Sequence, residues 1–150
     1  MQLPFDRLVQ IMDRAASTLQ EPVVAQIGQS SVKPDNLDFR AQIDPAQFDS
    51  LVENSRLIVS HAGVGTILLA QRLRKPVILF PRRSDRGEHR TDHQLDTART
   101  VEGRPGVYVA WTEEDLISLL NSSLLPPPAG AEETGRDRLR QGLAQLIRGD

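Results

Sequence analysis
Two glycines set between apolar runs, Gly63 and Gly65, constrain the fold more than any other feature of the sequence. Before them stands Leu57-Ile58-Val59, a continuous apolar run of the kind that forms a strand buried on both faces. After them Ile67, Leu68, Leu69, Ala70 and Leu73 predict a short apolar helix that must stop before Pro76. Val77-Ile78-Leu79-Phe80 then reads as a second buried strand. Strand, sharp turn, helix and strand make a parallel βαβ unit. The glycines let the backbone turn tightly and approach a ligand closely, and Thr66 is expected to cap the helix that starts there. Backbone N–H groups at such a helix start suit an anion such as a pyrophosphate. The second strand runs into a polar loop with Arg82, Arg83, Arg86, His89 and Arg90. In an open parallel sheet both loops emerge at the carboxyl ends of the strands, where ligands bind.

The flanking sequence continues the alternation. Phe5, Leu8, Val9, Met12, Ala16 and Leu19 recur at helical spacing and predict a helix over 4–20, ended by Pro22. A strand follows at 23–28, a polar loop at 29–38 and a short strand at 39–43. Asp44-Pro45 is a helix start, with Phe48, Leu51 and Val52 facing the core. Arg74 falls where the backbone should turn left-handed after the glycine-loop helix, a position easier for glycine. Thr91 or Asp92 opens another helix, Arg104-Pro105-Gly106 is a turn, 107–110 is a strand, and Thr112-Glu113-Glu114-Asp115 begins a helix with acids at its positive end. The expected organisation is an α/β domain over 1–121, a stiff Pro-rich linker over 122–131 built on Pro126-Pro127-Pro128, and a C-terminal amphipathic helix over 132–150.

The 150 residues suffice for one domain with a real core. A net charge of −2 argues against a general nucleic-acid binder, so the arginine cluster is a local feature. With no cysteine there is no disulfide framework and no thiol chemistry. No apolar run approaches the ~20 residues needed to span a bilayer. His89 and His93 are spaced as zinc ligands can be, but no third ligand is obvious and no Asp-x-Asp motif for a metal-bound nucleotide is present, so the expectation is no metal and no cofactor.

His61-Ala62-Gly63-x-Gly65-Thr66 followed by Asp92-His93-Gln94-Leu95 resembles the glycosyltransferase family 28 C-terminal domain, the donor-binding half of B-type glycosyltransferases. The loop Pro81-Arg82-Arg83-x-Asp85-x-Gly87-Glu88-His89-Arg90-x-Asp92-His93-Gln94 is most like stand-alone subunits of bacterial exopolysaccharide synthesis. A second likeness is to the soluble subunit of the eukaryotic N-acetylglucosaminyltransferase acting on dolichol-linked sugar. The resemblance implies a Rossmann-like parallel sheet flanked by helices. It implies a UDP-sugar as donor, an inverting hexosyltransfer, and a cytoplasmic chain at the inner membrane through a membrane-associated partner that binds a lipid-linked sugar acceptor. It places His61 near the donor diphosphate, lets the Thr66 hydroxyl reach a phosphate oxygen, and sets Gln94, helped by Asp92 and His93, on donor sugar hydroxyls. Gly28 and Gln29 become the rim of the nucleotide pocket. By their position beyond a strand end, Arg82, Arg83, Arg86 and Arg90 are candidate anion contacts, with His89 a substrate-binding candidate on the same loop, and the excess of guanidinium suggests a uronic acid donor. In this sequence Leu69 stands where some relatives carry a ribose-binding glutamate, and the first strand of the family fold, which precedes Gln2-x-Pro4-Phe5-Asp6, is expected to be missing. Two alternatives stand beside this reading: a non-enzymatic interaction subunit, and an epimerase-like protein of similar fold. The general base cannot be assigned from the sequence.

Overall fold
The computed structural model describes residues 3–128, so the expected helix over 132–150 lies outside the described residues. Strands β1 (Val24–Gln26), β2 (Asp38–Arg40), β3 (Ile58–Ser60), β4 (Val77–Leu79) and β5 (Val107–Val109) alternate with helices α1 (Asp6–Ala16), α2 (Pro45–Glu53), α3 (Val64–Arg72), α4 (His93–Val101) and α5 (Glu113–Leu120). All strand pairs are parallel, in the order β3-β4-β5 and, separately, β1-β2. Ile58 registers with Val77, and Val77 with Val107.

β4 is the centre of the core because its residues alternate between two buried faces. Val77 and Leu79 pack with Val52 of α2, Ile67 and Ala70 of α3, and Ala98 and Val101 of α4. Ile78 and Phe80 pack with Ile11, Met12 and Ala15 of α1 and Leu116 and Leu120 of α5. Helices on both faces of a parallel sheet define a doubly wound, Rossmann-like α/β arrangement. The β1–β2 pair joins the second cluster through Val23 and Ala25, beside Leu57 and Val59 of the β3 segment. Among the described residues no strand is hydrogen-bonded between β1 and β3.

Several boundaries differ from expectation for local reasons. α1 ends at Ala16 because the Ser17 and Thr18 hydroxyls donate back to the Arg14 and Ala15 carbonyls, closing the last turn. α3 starts at Val64, ahead of Thr66, because Gly63 holds the extended conformation of an N-cap (φ −93, ψ 141). Thr66 is therefore inside the first turn, its hydroxyl 3.2 Å from that of Ser60. Arg74 does take the left-handed conformation at φ 55. Thr112 caps α5 in a reciprocal box with Asp115.

Candidate functional site
The carboxyl ends of β3 and β4 deliver the two loops that the sequence singled out, and Gln94 joins them. Its carboxamide is buried between the loops. Oε1 accepts from the Arg82 N–H at 2.9 Å and the Ala62 N–H at 3.3 Å, while Nε2 lies 3.1 Å from His61 Nδ1. Because Oε1 takes two backbone donors, Nε2 must donate, so His61 Nδ1 accepts and its proton sits on Nε2. Burial first, then the charges of Arg82 and His89, push the His61 pKa down to about 4. The imidazole is thus neutral at physiological pH and offers one N–H donor.

Gly63 leaves room for that imidazole as it is held. A Cβ at position 63 would stand 2.3 Å from His61 Cε1. Gly65 is different: a Cβ there meets nothing within 4 Å. No side chain caps α3, so the N–H groups of its first turn, Val64 to Thr66, are the donors a helix start leaves without intrahelical partners.

The loop after β4 is held by its own side chains. Three successive backbone N–H groups are each taken by an acceptor further along: Arg82 by Gln94 Oε1 at 2.9 Å, Arg83 by Glu88 Oε1 at 3.1 Å, and Ser84 by Asp92 Oδ1 at 2.9 Å. Asp92 also accepts from the Ser84 hydroxyl at 2.7 Å, and these bonds, the backbone one foremost, lower its pKa. It occupies the N-cap position of α4 without a side-chain cap bond. A single turn of 3-10 helix (Ser84–Arg86) and left-handed Gly87, φ 68, fold the loop back.

The arginines divide. Arg82 is buried, its guanidinium 4.8 Å from the Phe5 ring centroid and donating to the Leu3 and Glu88 carbonyls. Arg83 forks onto Asp85, with both bonds 3.1 Å. Arg86 and Arg90 are exposed. His89 Nδ1 interacts with Thr91 within the loop, and His93 opens α4. Gly28 and Gln29 lie exposed past the end of β1, with Gly28 left-handed at φ 57, and no hydrogen bond links them to the His61–Gln94 cluster among the described residues. Leu69 packs against the core cluster between α3 and the sheet. Sequence reasoning gave no role to Arg7, which reaches from α1 to Glu88 with bonds of 2.9 and 2.8 Å. The one available signal was an acid, Glu88, directly after the turning glycine of an arginine-rich loop.

A doubly wound α/β domain with an uncapped, glycine-flanked helix start at the strand ends is of the Rossmann-like class. Residues 3–147 match the model of the glycosyltransferase family 28 C-terminal domain, and the chain belongs to that family. It is also similar in fold to a crystal structure described as the glycotransferase of kitacinnamycin, at a TM-score of 0.57 and 19% identity. That match covers 97% of this chain and 36% of the other, so the chain spans about a third of the solved protein. No curated protein matches.

Proposed function
We propose that this chain is the donor-binding subunit of a two-part glycosyltransferase and holds a UDP-sugar at the strand ends of β3 and β4. One observation carries the reading: the first turn of α3 has no side-chain cap, and the space above Gly65 is open. A diphosphate fits such a place because backbone donors and the helix dipole both favour negative charge. Neutral His61, with its proton on Nε2, adds one hydrogen bond to the leaving diphosphate. Gln94 keeps one Nε2 hydrogen beyond its bond to His61, which suits a sugar hydroxyl. An acceptor hydroxyl attacks the anomeric carbon, the bond to the diphosphate oxygen breaks, and UDP departs with its charge held by the α3 start. The hydroxyl proton passes to a base on a membrane-associated partner that carries the lipid-linked acceptor. Membership of the family supports glycosyl transfer as the reaction, and we infer an inverting, metal-independent transfer in exopolysaccharide synthesis on the cytoplasmic side. Among the described residues no helix is long and apolar enough to cross a membrane.

The test is calorimetric binding of UDP, UDP-glucose and UDP-glucuronic acid, with and without chelator, to the wild type and to Gly65→Ala. Because the added Cβ meets no protein atom, helix propensity predicts a stability gain of up to about 1 kcal/mol. UDP affinity should fall at least about tenfold if the diphosphate lies there. Unchanged affinity in this variant would move the donor elsewhere. A second reading, an interaction subunit, draws on Leu69, which is partly buried against the core at the place of the ribose-binding acid of some relatives. It predicts complex formation without UDP binding.

A further inference from the structure
α1 lies on the opposite face of the sheet from α3, yet it is wired to the loop that carries Gln94. Arg7 donates from Nε to Glu88 Oε2 at 2.9 Å and from Nη2 to Glu88 Oε1 at 2.8 Å, and Nη2 also reaches the Pro81 carbonyl at 3.4 Å. Its guanidinium lies 4.3 Å from the Phe80 ring centroid, and Phe80 stacks on Phe5 at 5.9 Å. The Arg82 guanidinium lies 4.8 Å from the Phe5 ring centroid and closes the circuit by donating to the Glu88 carbonyl at 3.1 Å. The Glu88 side chain is only 7% exposed, so removing this partner would leave its oxygens buried without it. The same carboxylate takes the Arg83 N–H, next to the Arg82 N–H held by Gln94. Gln94 and Glu88 therefore grip adjacent peptide units from two directions, and Gln94 carries that placement to Ala62 and His61.

We propose that Arg7 and Glu88 are positioning residues of the donor site, setting the strand-end loop so that Gln94 can hold His61 beside the α3 helix start. The claim rests on the donor-site reading given above. Neither residue need touch substrate. A part-buried, two-pronged guanidinium–carboxylate pair is directional enough for this role, as an ammonium in place of the fork is not.

The experiment compares Glu88→Gln, Arg7→Lys and Arg14→Gln in the full chain. Arg14 makes a second ion pair from α1, an exposed one to Glu113 on α5, and serves as the control. Glu88→Gln keeps an acceptor for the Arg83 N–H but loses the charge. Arg7→Lys keeps the charge but loses the fork, and is the milder form if the first variant folds poorly. Three readouts are taken: thermal midpoint, UDP affinity by calorimetry, and the His61 imidazole titration by NMR. The expected result is an affinity about tenfold lower in the two pair variants. Their His61 midpoint should rise from about 4 toward the ordinary 6.5 as the ring loosens, with neither change in Arg14→Gln. A lowered thermal midpoint with an unmoved His61 titration would make the pair merely structural and overturn the proposal. Wild-type protein that does not bind UDP would sink the donor reading, while the His61 titration would still decide whether the pair sets the loop.

Discussion
Replacing Gln94 by alanine should unfasten the two loops, and the size of the effect follows from its bonds. The Arg82 and Ala62 N–H groups lose their shared acceptor, and His61 Nδ1 loses its donor. Both backbone groups are deeply buried, with Ala62 2% and Arg82 7% exposed, so water does not readily replace the carboxamide. An orphaned buried polar group costs about 1–3 kcal/mol. The 3.3 Å bond to Ala62 is long and belongs at the low end of that range, whereas the 2.9 Å bond to Arg82 is well formed. The sum predicts a loss of about 2–4 kcal/mol, against a total of about 5–15 kcal/mol for a typical domain. Urea unfolding followed by circular dichroism measures it. Gln94→Glu is the informative companion, because it keeps an acceptor for both N–H groups but sets a carboxylate oxygen against His61 Nδ1. Two acceptors face each other there unless the ring takes a proton, so the His61 midpoint should climb from about 4 to beyond 6.5. A loss below about 1 kcal/mol in the alanine variant, less than one orphaned group costs, together with an unmoved His61 titration in the glutamate variant, would refute the clamp.

Gly63→Ala should destabilise by about 1–3 kcal/mol, the range for overpacking, since its Cβ would stand 2.3 Å from His61 Cε1. Thermal unfolding beside Gly65→Ala reads the contrast, and equal midpoints would contradict it. Stability should also depend on His61 titration. Its folded pKa of about 4 lies below the ordinary 6.5, so between those values the unfolded chain binds the extra proton. Above about pH 6.5 the full stability is present, and it is lost as pH falls toward 4, by about 3 kcal/mol at 1.36 per unit. His61→Asn, which keeps an acceptor for Gln94, should remove that part of the slope; identical slopes in urea titrations of both proteins would count against a buried neutral ring.

What could be read in the sequence was the part that depends on near neighbours. The runs around Gly63 and Gly65 named β3, α3 and β4 because burial on two faces needs continuous apolar residues, and Val77 to Phe80 are indeed buried on both. The N-cap of α5 was visible because Thr112 and Asp115 are three apart, and Arg74 was visible because a helix stopped by Pro76 needs a left-handed residue before it. Strand lengths came out longer than the three-residue ladders that form, since hydrophobic runs mark burial and not hydrogen bonding. The internal wiring of the site was not readable in the same way. Gln94 meets His61 across 33 positions and Arg7 meets Glu88 across 81, and no periodicity encodes such pairs. Arg82 illustrates the consequence. By charge it belongs with Arg83, Arg86 and Arg90 as an anion contact, yet its guanidinium is taken up by Phe5, Leu3 and the Glu88 carbonyl. A cluster of like charges in sequence is thereby divided in space: Arg82 and Arg7 bind α1 to the loop, while Arg86 and Arg90 stay exposed. If the donor is a uronic acid, those two exposed guanidinium groups are the ones free of the contacts that occupy Arg82 and Arg83. Replacing both with glutamine should weaken UDP-glucuronic acid while leaving UDP itself unaffected.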